Sequence, residues 1–328
     1  MNASDGWKPG AGHATARTRA WMLSAARHYF ANCDVLEVET PVLSASAVSD
    51  PHLESMHVSA QCAEGGPLFL RTSPEYPMKR LLAAGYPDIF EIGKVFRDGE
   101  RGARHQPEFT MIEWYRHGFG LQQIIDDAVG LISTLIDDRH LLRPLQQISY
   151  RDAFLRFAGV DPGDAQSNEL ARIAKADDSL MRSIGDDRDA WLDLILARNV
   201  AAAFPSNALT VLHHYPASQA ALSRLCPDDP ALADRFEVFF GPVELANGYV
   251  ELTDADEQRR RFLRDQEQRR LADAQTRPLD ENLLAAMDHG LPPCAGVAVG
   301  FDRLLMINTQ ARHIRDVVSI AFEGRGND

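Results

Sequence analysis

The stretch from Lys94 to Tyr115, KVFRDGERGARHQPEFTMIEWY, constrains this chain more than any other. An apolar run, Ile89 to Phe96, is typical of a strand and stops at Arg97. A polar loop with two glycines and several cationic side chains follows, and a second strand-like run begins after Pro107. The pattern predicts two strands joined by a basic loop, whose forked arginine donors suit a phosphate chain.

Alternation in the second predicted strand, Glu108 to Tyr115, places four side chains on one face. They are Phe109, Met111, Glu113 and Tyr115. A purine could stack on Phe109, whereas Glu113 and Tyr115 suit a cationic substrate group. The alternative is a hairpin with a solvated charged loop, because charge runs usually lie on the surface.

Composition fits an ordinary globular protein, with 328 residues, 45% of them hydrophobic and 25% charged, which is large enough for one big domain with insertions or for two smaller ones. The net charge of -13 argues against a nucleic-acid surface, which needs a basic stripe. The cysteines, Cys33, Cys62, Cys226 and Cys294, have no CxxC or Cys/His metal spacing, so we interpret them as isolated thiols in a reducing cytoplasm. The N-terminal region has no long apolar run, and we expect no membrane association.

The rest of the chain predicts helices and strands around these blocks. Residues 1–13 contain Gly and Pro and are expected to be loose, while 14 to about 32 predicts a helix that leads into a strand at 35–38. The helical, acidic region at about 151–204 has no site chemistry and is predicted to be an insertion outside the core.

Glu75 follows a predicted strand and the sequence Thr72-Ser73-Pro74. Pro74 cannot lie in a central strand, so Glu75 is expected to begin a helix. Its carboxylate could satisfy backbone amides at the helix N-terminus, or it could receive the amino group of a substrate.

A second block, Arg235 to Thr253, contains Glu237 and Glu244 on either side of a Gly-Pro break. Two carboxylates on neighbouring strands beside a phosphate loop are what Mg²⁺ needs, although solvated strand glutamates are the alternative. Asn247-Gly248 predicts a tight turn.

The last block, Cys294 to Ile307, has Gly296 and Gly300 bracketing a predicted strand that becomes a helix, with Arg303 in the first helical turn. Such a junction carries little information by itself.

Together, the three blocks resemble the signature motifs of class II aminoacyl-tRNA synthetases, and HQPEFTMIEWY and TSPEYPMKRLL resemble the lysine branch. The resemblance implies an α+β fold, with an antiparallel β-sheet flanked by helices, in a catalytic domain at 14–328 without an anticodon-binding domain. The helix and strand near the N-terminus resemble the first motif, which builds a dimer interface in that family, so a homodimer is expected.

The resemblance also assigns roles to residues. Arg97 would hold the ATP α-phosphate, and Phe109 and Arg303 would sandwich the adenine ring, with Arg97 and Arg303 as the catalytic pair. Mg²⁺ would be held by Glu237 and Glu244. The implied ATP-binding residues are Arg97, Asp98, Gly99, Glu100, His105, Gln106, Phe109, Glu244, Leu245, Gly300 and Arg303. The implied amino-acid site comprises Ser73, Pro74, Glu75, Glu113, Tyr115, Asn247, Glu251 and Ala298.

Two positions depart from the family pattern. Gly99 stands where the family has a glutamate that contacts the adenine amino group, with Glu100 next to it, and Gln106 replaces the usual asparagine. Either the loop shifts by one residue or that contact is lost, at a cost of about 0.5–1.5 kcal/mol.

Within the family, the chain resembles stand-alone paralogues that attach (R)-β-lysine to a lysine of elongation factor P with ATP and Mg²⁺. Its first motif begins near residue 14, which leaves no room for an anticodon-binding barrel, and tRNA is not expected. Ala298 stands where lysyl-tRNA synthetases have glycine, and Ser73 where they have alanine. An added methyl group shifts selectivity by about 1–3 kcal/mol, enough to disfavour α-lysine.

Three other functions are alternatives for such a chain. A stand-alone enzyme that adenylates α-lysine shares all these motifs. A non-catalytic, amino-acid-binding regulator is expected to have lost some of Arg97, Arg303, Glu237 and Glu244, yet all four are present. An aspartate-ammonia ligase should have a cationic substrate pocket rather than an acidic one.

Overall fold

The computed structural model describes residues 7–61, 66–137, 140, 143–272 and 274–322. Cys62 lies outside these ranges. Across the described ranges the strands, numbered along the chain, are β1 (Leu36–Glu37), β2 (Leu43–Ser44), β3 (His57–Val58), β4 (Leu68–Leu70), β5 (Ile89–Phe96), β6 (Glu108–His117), β7 (Gln146–Ser149), β8 (Leu209–Pro216), β9 (Leu232–Phe240), β10 (Val243–Val250) and β11 (Cys294–Gly300).

The main sheet has the spatial order β1-β5-β6-β11-β10-β9-β8-β7, and β2, β4 and β3 form a small second sheet. The pairs β1–β5 and β7–β8 are parallel, whereas the five central pairs are antiparallel. Because β6, β11, β10 and β9 are adjacent, all three signature blocks lie side by side. The predicted antiparallel sheet flanked by helices is confirmed.

The helices of the described ranges are α1 (His13–Asn32), α2 (Glu75–Ala83), α3 (Leu121–Leu135), α4 (Tyr150–Phe157), α5 (Ser167–Ile173), α6 (Asp178–Ile184), α7 (Arg188–Ile195), α8 (Ala255–Leu271), α9 (Glu281–Gly290) and α10 (Phe301–Thr309). A π-helix, Leu196–Val200, and a 3₁₀ turn, Ala201–Ala203, continue α7. Among the described residues, none of these helices has the length and apolarity to span a bilayer.

The principal core lies between the sheet and the helices α1, α3 and α10. Phe30 of α1 stacks on Phe90 of β5, with ring centroids 4.2 Å apart, and also contacts Trp114 of β6. Aromatic pairs of this kind add to the apolar area that they bury. This packing holds the opposite face of β6 towards the cleft.

The helical region that includes α4 to α7 has a separate apolar cluster around Tyr150, Phe154 and Trp191. The cluster packs on Leu212 and Tyr215 of β8, near the far edge of the sheet. The domain boundary predicted at about 151–204 stays a prediction.

Near the N-terminus, Gly10 and Ala11 donate backbone hydrogen bonds to Ser319 and Val318 at 3.0 and 2.9 Å. These two residues of the segment expected to be loose are therefore held by the C-terminal segment.

The predicted tight turn at Asn247-Gly248 is wrong, because both residues lie inside β10 and pair with β9 and β11. The chain reverses instead at Gly241, whose φ is 53°. Packing explains the glycine at 248: a Cβ atom there would lie 2.7 Å from Phe236 and from Val297. The glycine is therefore required by the close approach of neighbouring strands and not by a turn.

Candidate active site

A cleft of about 1630 Å³ runs across the face of β6, β11 and β10 and is flanked by the loop before β6 and by α2. One small ligand typically fills about 300–1,000 Å³, so this cleft has room for a nucleotide and an amino acid together. Most of the predicted site residues line it, including Arg97, Phe109 and Arg303 at one end. Of the predicted residues, Pro74, Asp98 and Gly99 do not line it.

The nucleotide end is built on Arg97 and Phe109. The Arg97 guanidinium lies 5.1 Å from the centroid of the Phe109 ring, and its Nη1 atom lies 3.2 Å from Oε1 of Glu100. The Arg97 amide also donates to the carbonyl of Pro107, which closes the loop at its base. A guanidinium that lies over a half-buried aromatic ring suits a phosphate next to a stacked base.

Arg303 joins the start of α10 to the basic loop. It donates through Nη1 to the carbonyl oxygen of Glu244 at 2.8 Å and through Nη2 to Nε2 of His105 at 2.7 Å. Partial burial and the adjacent guanidinium lower the pKa of His105, so its neutral ring can accept this hydrogen bond at neutral pH.

A network behind Arg303 fixes its position. Asp302 accepts from the backbone amide of Thr110 at 2.7 Å and pairs with Arg19 at 2.5 Å, and Arg19 also donates to the Thr110 hydroxyl. The side chain of Asp302 is almost fully buried. Helix α1, strand β6 and helix α10 are thereby joined by charge-assisted hydrogen bonds directly beneath the nucleotide end.

The two loop residues that depart from the family pattern, Gly99 and Gln106, each have a defined conformation. Gly99 has a φ of 77°, a left-handed conformation that a glutamate would adopt only with strain. The backbone here therefore differs from the conformation that the family's glutamate would need. The carboxamide of Gln106 donates to the carbonyl of Glu108 at 2.7 Å and stabilises the loop end.

Glu237 on β9 and Glu244 on β10 occupy neighbouring strands beside the nucleotide end. Burial and the charge of Glu244 raise the pKa of Glu237 to about 7, although Arg235 opposes the shift. Arg235 donates to Oε1 of Glu237 at 2.7 Å and to the Asn247 side-chain oxygen at 3.2 Å. Two carboxylates that repel each other beside a phosphate site fit Mg²⁺, which would relieve the repulsion.

The opposite end of the cleft is an acidic pocket that contains Glu75, Glu113 and Glu251. Glu75 begins α2, as predicted, and its Oε1 atom accepts hydrogen bonds from Lys79 at 2.6 Å and from the Tyr249 hydroxyl at 2.9 Å. Lys79 lies 2.5 Å from Oε2 of Glu251 as well. One buried ammonium therefore bridges two of the three acids.

Glu113 is held by hydroxyl groups instead. It accepts from Ser73 and from Tyr115, each at 2.7 Å. Burial and the nearby Glu75 charge raise the pKa of Glu113 to about 7, while burial raises the pKa of Glu251 to about 8 against the opposing effect of Lys79. Carboxyl groups with raised pKa values in a cleft indicate a site that binds cationic groups.

The floor of this pocket is strand β11. A Cβ atom on Gly296 would lie 2.4 Å from the Tyr115 ring and 2.7 Å from Oε1 of Glu251, so only glycine allows both side chains their positions. Ala298 pairs with Glu113 on one side and Asn247 on the other, and it lines the cleft between them.

Sequence reasoning missed three participants, Lys79, Tyr249 and Arg235. Lys79 follows Glu75 at i+4, a spacing that brings helical side chains together, so that pair was detectable. Its contact with Glu251 joins residues that are 172 positions apart in the sequence, and it could not be detected from local spacing. Alternation along β10 places Tyr249 on the same face as Asn247, a weaker signal.

A separate group lies outside the cleft. Ligand atoms of His214, Cys226 and Asp234 are within 4.8 Å of one another, although no sequence spacing indicated it. Arg224 pairs with Asp234 at 2.8 Å and already supplies that carboxylate with a cation.

Comparisons with known proteins identify the family of this chain. The family of class II tRNA synthetases for D, K and N matches residues 10–322. Proteins named elongation factor P–(R)-β-lysine ligase are similar over almost the whole chain. The one from Photorhabdus laumondii is 42% identical, covering 98% of this chain and 99% of the relative, and the one from Haemophilus influenzae is 40% identical with the same coverage. The protein of that name from Proteus mirabilis is 42% identical over 95% of this chain and 96% of its own. The chain therefore belongs to the class II tRNA synthetase family of the D, K and N type and, within it, to the group of the elongation factor P–(R)-β-lysine ligases.

Proposed function

We propose that this chain activates (R)-β-lysine with ATP and transfers it to the side-chain amine of a lysine on elongation factor P. The observation that carries the proposal is one continuous cleft with a cationic nucleotide end and a buried acidic end. ATP brings negative charge to Arg97 and Arg303, while a diamino acid brings two ammonium groups to the acids.

In the first step, a carboxylate oxygen of β-lysine attacks the α-phosphorus of ATP, and the bond to the β-phosphate oxygen breaks. The products are β-lysyl-adenylate and pyrophosphate. Arg97 stabilises the charge on the α-phosphate, and Arg303 holds the adenine against Phe109. The two ends of the cleft fix the distance between carboxylate and phosphorus, which supplies most of the rate by positioning.

Glu237 and Glu244 would hold Mg²⁺, which offsets phosphate charge when bound. Arg235 keeps Glu237 in place through its 2.7 Å contact and thereby orients the carboxylate pair.

In the second step, the amine of the acceptor lysine attacks the carbonyl carbon of the adenylate. The bond to the AMP oxygen breaks, AMP leaves, and the amine loses a proton as the amide forms. A mixed anhydride is reactive enough that no protein nucleophile is required.

Pyrophosphate–ATP exchange on the purified chain tests the activation step. We expect exchange that depends on (R)-β-lysine and is weaker with L-α-lysine. Exchange with L-α-lysine alone would overturn the choice of substrate and favour the α-lysine enzyme. The absence of exchange with either amino acid would overturn the enzymatic proposal and favour a regulator.

A homodimer through α1 and β1 is part of the proposal. Strand β1 lies at the edge of the sheet, and the side chains of Trp21 and Leu36 on these elements are exposed. Exposed apolar groups beside an unpaired strand edge favour association. Light scattering should show a dimer that Trp21→Arg weakens, and a monomeric wild-type chain would contradict it. We place the activity in the cytoplasm, where elongation factors work.

A further inference from the structure

Lys79 lies behind the acidic pocket rather than in it. Its side chain is 2% exposed, and its ammonium lies 2.5 Å from Glu251, 2.6 Å from Glu75 and 5.7 Å from the centroid of the Tyr249 ring. Glu75 and Glu251 line the cleft, whereas Lys79 does not. Burying an ammonium is costly unless it is paired, so Lys79 and the two acids form one unit.

The net charge of the pocket indicates what this unit does in substrate binding. When all three acids are ionised, Glu75, Glu113 and Glu251 bring three negative charges and Lys79 one positive charge, which gives the pocket a net charge of -2. Oε1 of Glu251 is buried and lacks a hydrogen-bond partner among the described residues. It lies beside Gly296 in the lining of the cleft, where an incoming ammonium would approach it.

We propose that Lys79 is a positioning residue that sets the pocket charge to match two ammonium groups and so selects diamino acids over amino acids with one. The inference rests on the proposed function and deepens it. With a diammonium substrate, every buried charge in the pocket has a partner. An amino acid with a single ammonium leaves one acid without a cation, so that acid keeps its proton and adds no ion pair to the binding free energy.

The other groups facing Lys79 leave the count unchanged. Burial raises the pKa values of Tyr115, Tyr249 and Cys294, so these groups stay neutral at neutral pH. Protons on Glu113 and Glu251 take the place of the missing ammonium groups when the pocket is empty. Binding of a diamino acid should therefore release protons.

Calorimetry with (R)-β-lysine and with 3-aminohexanoic acid, which lacks the terminal ammonium, tests the inference directly. Lys79→Met makes the pocket charge -3, and we expect the Kd for (R)-β-lysine to rise at least about tenfold. The KM for ATP should stay within about twofold of wild type, because the nucleotide end is unchanged. The control is Lys175→Met, which removes an exposed lysine between α5 and α6.

A double-mutant cycle separates charge matching from simple loss of contacts. Glu251→Gln makes the pocket charge -1, and Lys79→Met with Glu251→Gln restores -2. The double variant should therefore bind (R)-β-lysine more tightly than either single variant. For each variant, the Kd for (R)-β-lysine is divided by the wild-type value. If this ratio for the double variant equals or exceeds the product of the ratios for the two single variants, the inference is overturned.

If Lys79→Met alone does not fold, the double variant is compared with Glu251→Gln, because the double variant removes the ion pair between Lys79 and Glu251 from both sides, and it should still bind (R)-β-lysine more tightly. Proton release by the wild-type chain, measured in buffers of different ionisation enthalpy, gives a further result. Binding of (R)-β-lysine without proton release would contradict the charge count. Wild-type exchange with (R)-β-lysine together with an additive cycle would overturn only the role of Lys79, whereas no wild-type binding of any diamino acid would overturn the proposed function itself.

Discussion

The Nη2 atom of Arg303 lies 2.7 Å from Nε2 of His105, which links the first turn of α10 to the loop between β5 and β6. The same guanidinium also reaches the carbonyl oxygen of Glu244 on β10. One side chain thus joins all three signature blocks at the nucleotide end. Its position is set from below by Asp302, which holds the backbone of β6.

Replacing Arg303 should therefore affect ATP more than the amino acid. We expect Arg303→Ala to lower kcat/KM for ATP by about 10²–10³-fold, because a fixed cation beside the reacting nucleotide is lost. Exchange kinetics with ATP varied would measure this loss. Arg312→Ala, at an exposed position just after α10, is the matched control, and an equal loss in both variants would argue against a specific role.

The activity should depend on pH through the acidic pocket. The free-enzyme pKa values of Glu113 and Glu251 are about 7 and about 8, above the ordinary value of 4.5. Only the ionised acids attract ammonium groups, so kcat/KM for (R)-β-lysine should rise with pH from about 6 to above 8. Rates with the amino acid varied at saturating ATP would show this rise. A flat profile across that range would contradict the assignment of the pocket.

Ala298 should help to choose between isomers of lysine. Its methyl group lies between Glu113 and Asn247 on the wall of the pocket. We expect Ala298→Gly to raise kcat/KM for L-α-lysine relative to (R)-β-lysine by about 10- to 200-fold. If the ratio does not change, the methyl group has no part in selectivity and the α-lysine enzyme gains support.

Gly296 should not tolerate a side chain. A Cβ atom there would meet Tyr115 at 2.4 Å and Glu251 at 2.7 Å, so Gly296→Ala must displace one of them. We expect the KM for (R)-β-lysine to rise at least about tenfold, with a loss of stability of about 1–3 kcal/mol. In the control Gly120→Ala, the nearest atom to the new Cβ is 3.7 Å away. Wild-type kinetics in Gly296→Ala would show that the pocket adapts.

The strands that carry the site could be predicted from the sequence because their patterns are local. The apolar run of β5 matched its bounds, Ile89–Phe96, and alternation along β6 correctly placed Phe109, Glu113 and Tyr115 on the cleft face. Pro74 also set the start of α2 correctly, since proline excludes a strand there.

Side-chain contacts between residues that are distant in the sequence could not be predicted, for a physical reason. Nothing local indicates that Lys79 reaches Glu251, because the contact depends on how α2 packs against the end of β10. The turn predicted at Asn247-Gly248 failed in the same way, since close strand packing rather than chain reversal requires that glycine. Arg19, far from Asp302 in sequence, is a third case.

The intact mass of elongation factor P tests the central claim most directly. Unmodified factor would be incubated with this chain, ATP, Mg²⁺ and either (R)-β-lysine or L-α-lysine, with a reaction lacking ATP as the control. The account predicts a mass gain of one lysyl residue that needs ATP, is faster with (R)-β-lysine, and disappears when the acceptor lysine is replaced. Adenylate formation with no mass gain on the factor would contradict the account, because the activated amino acid would then have another acceptor.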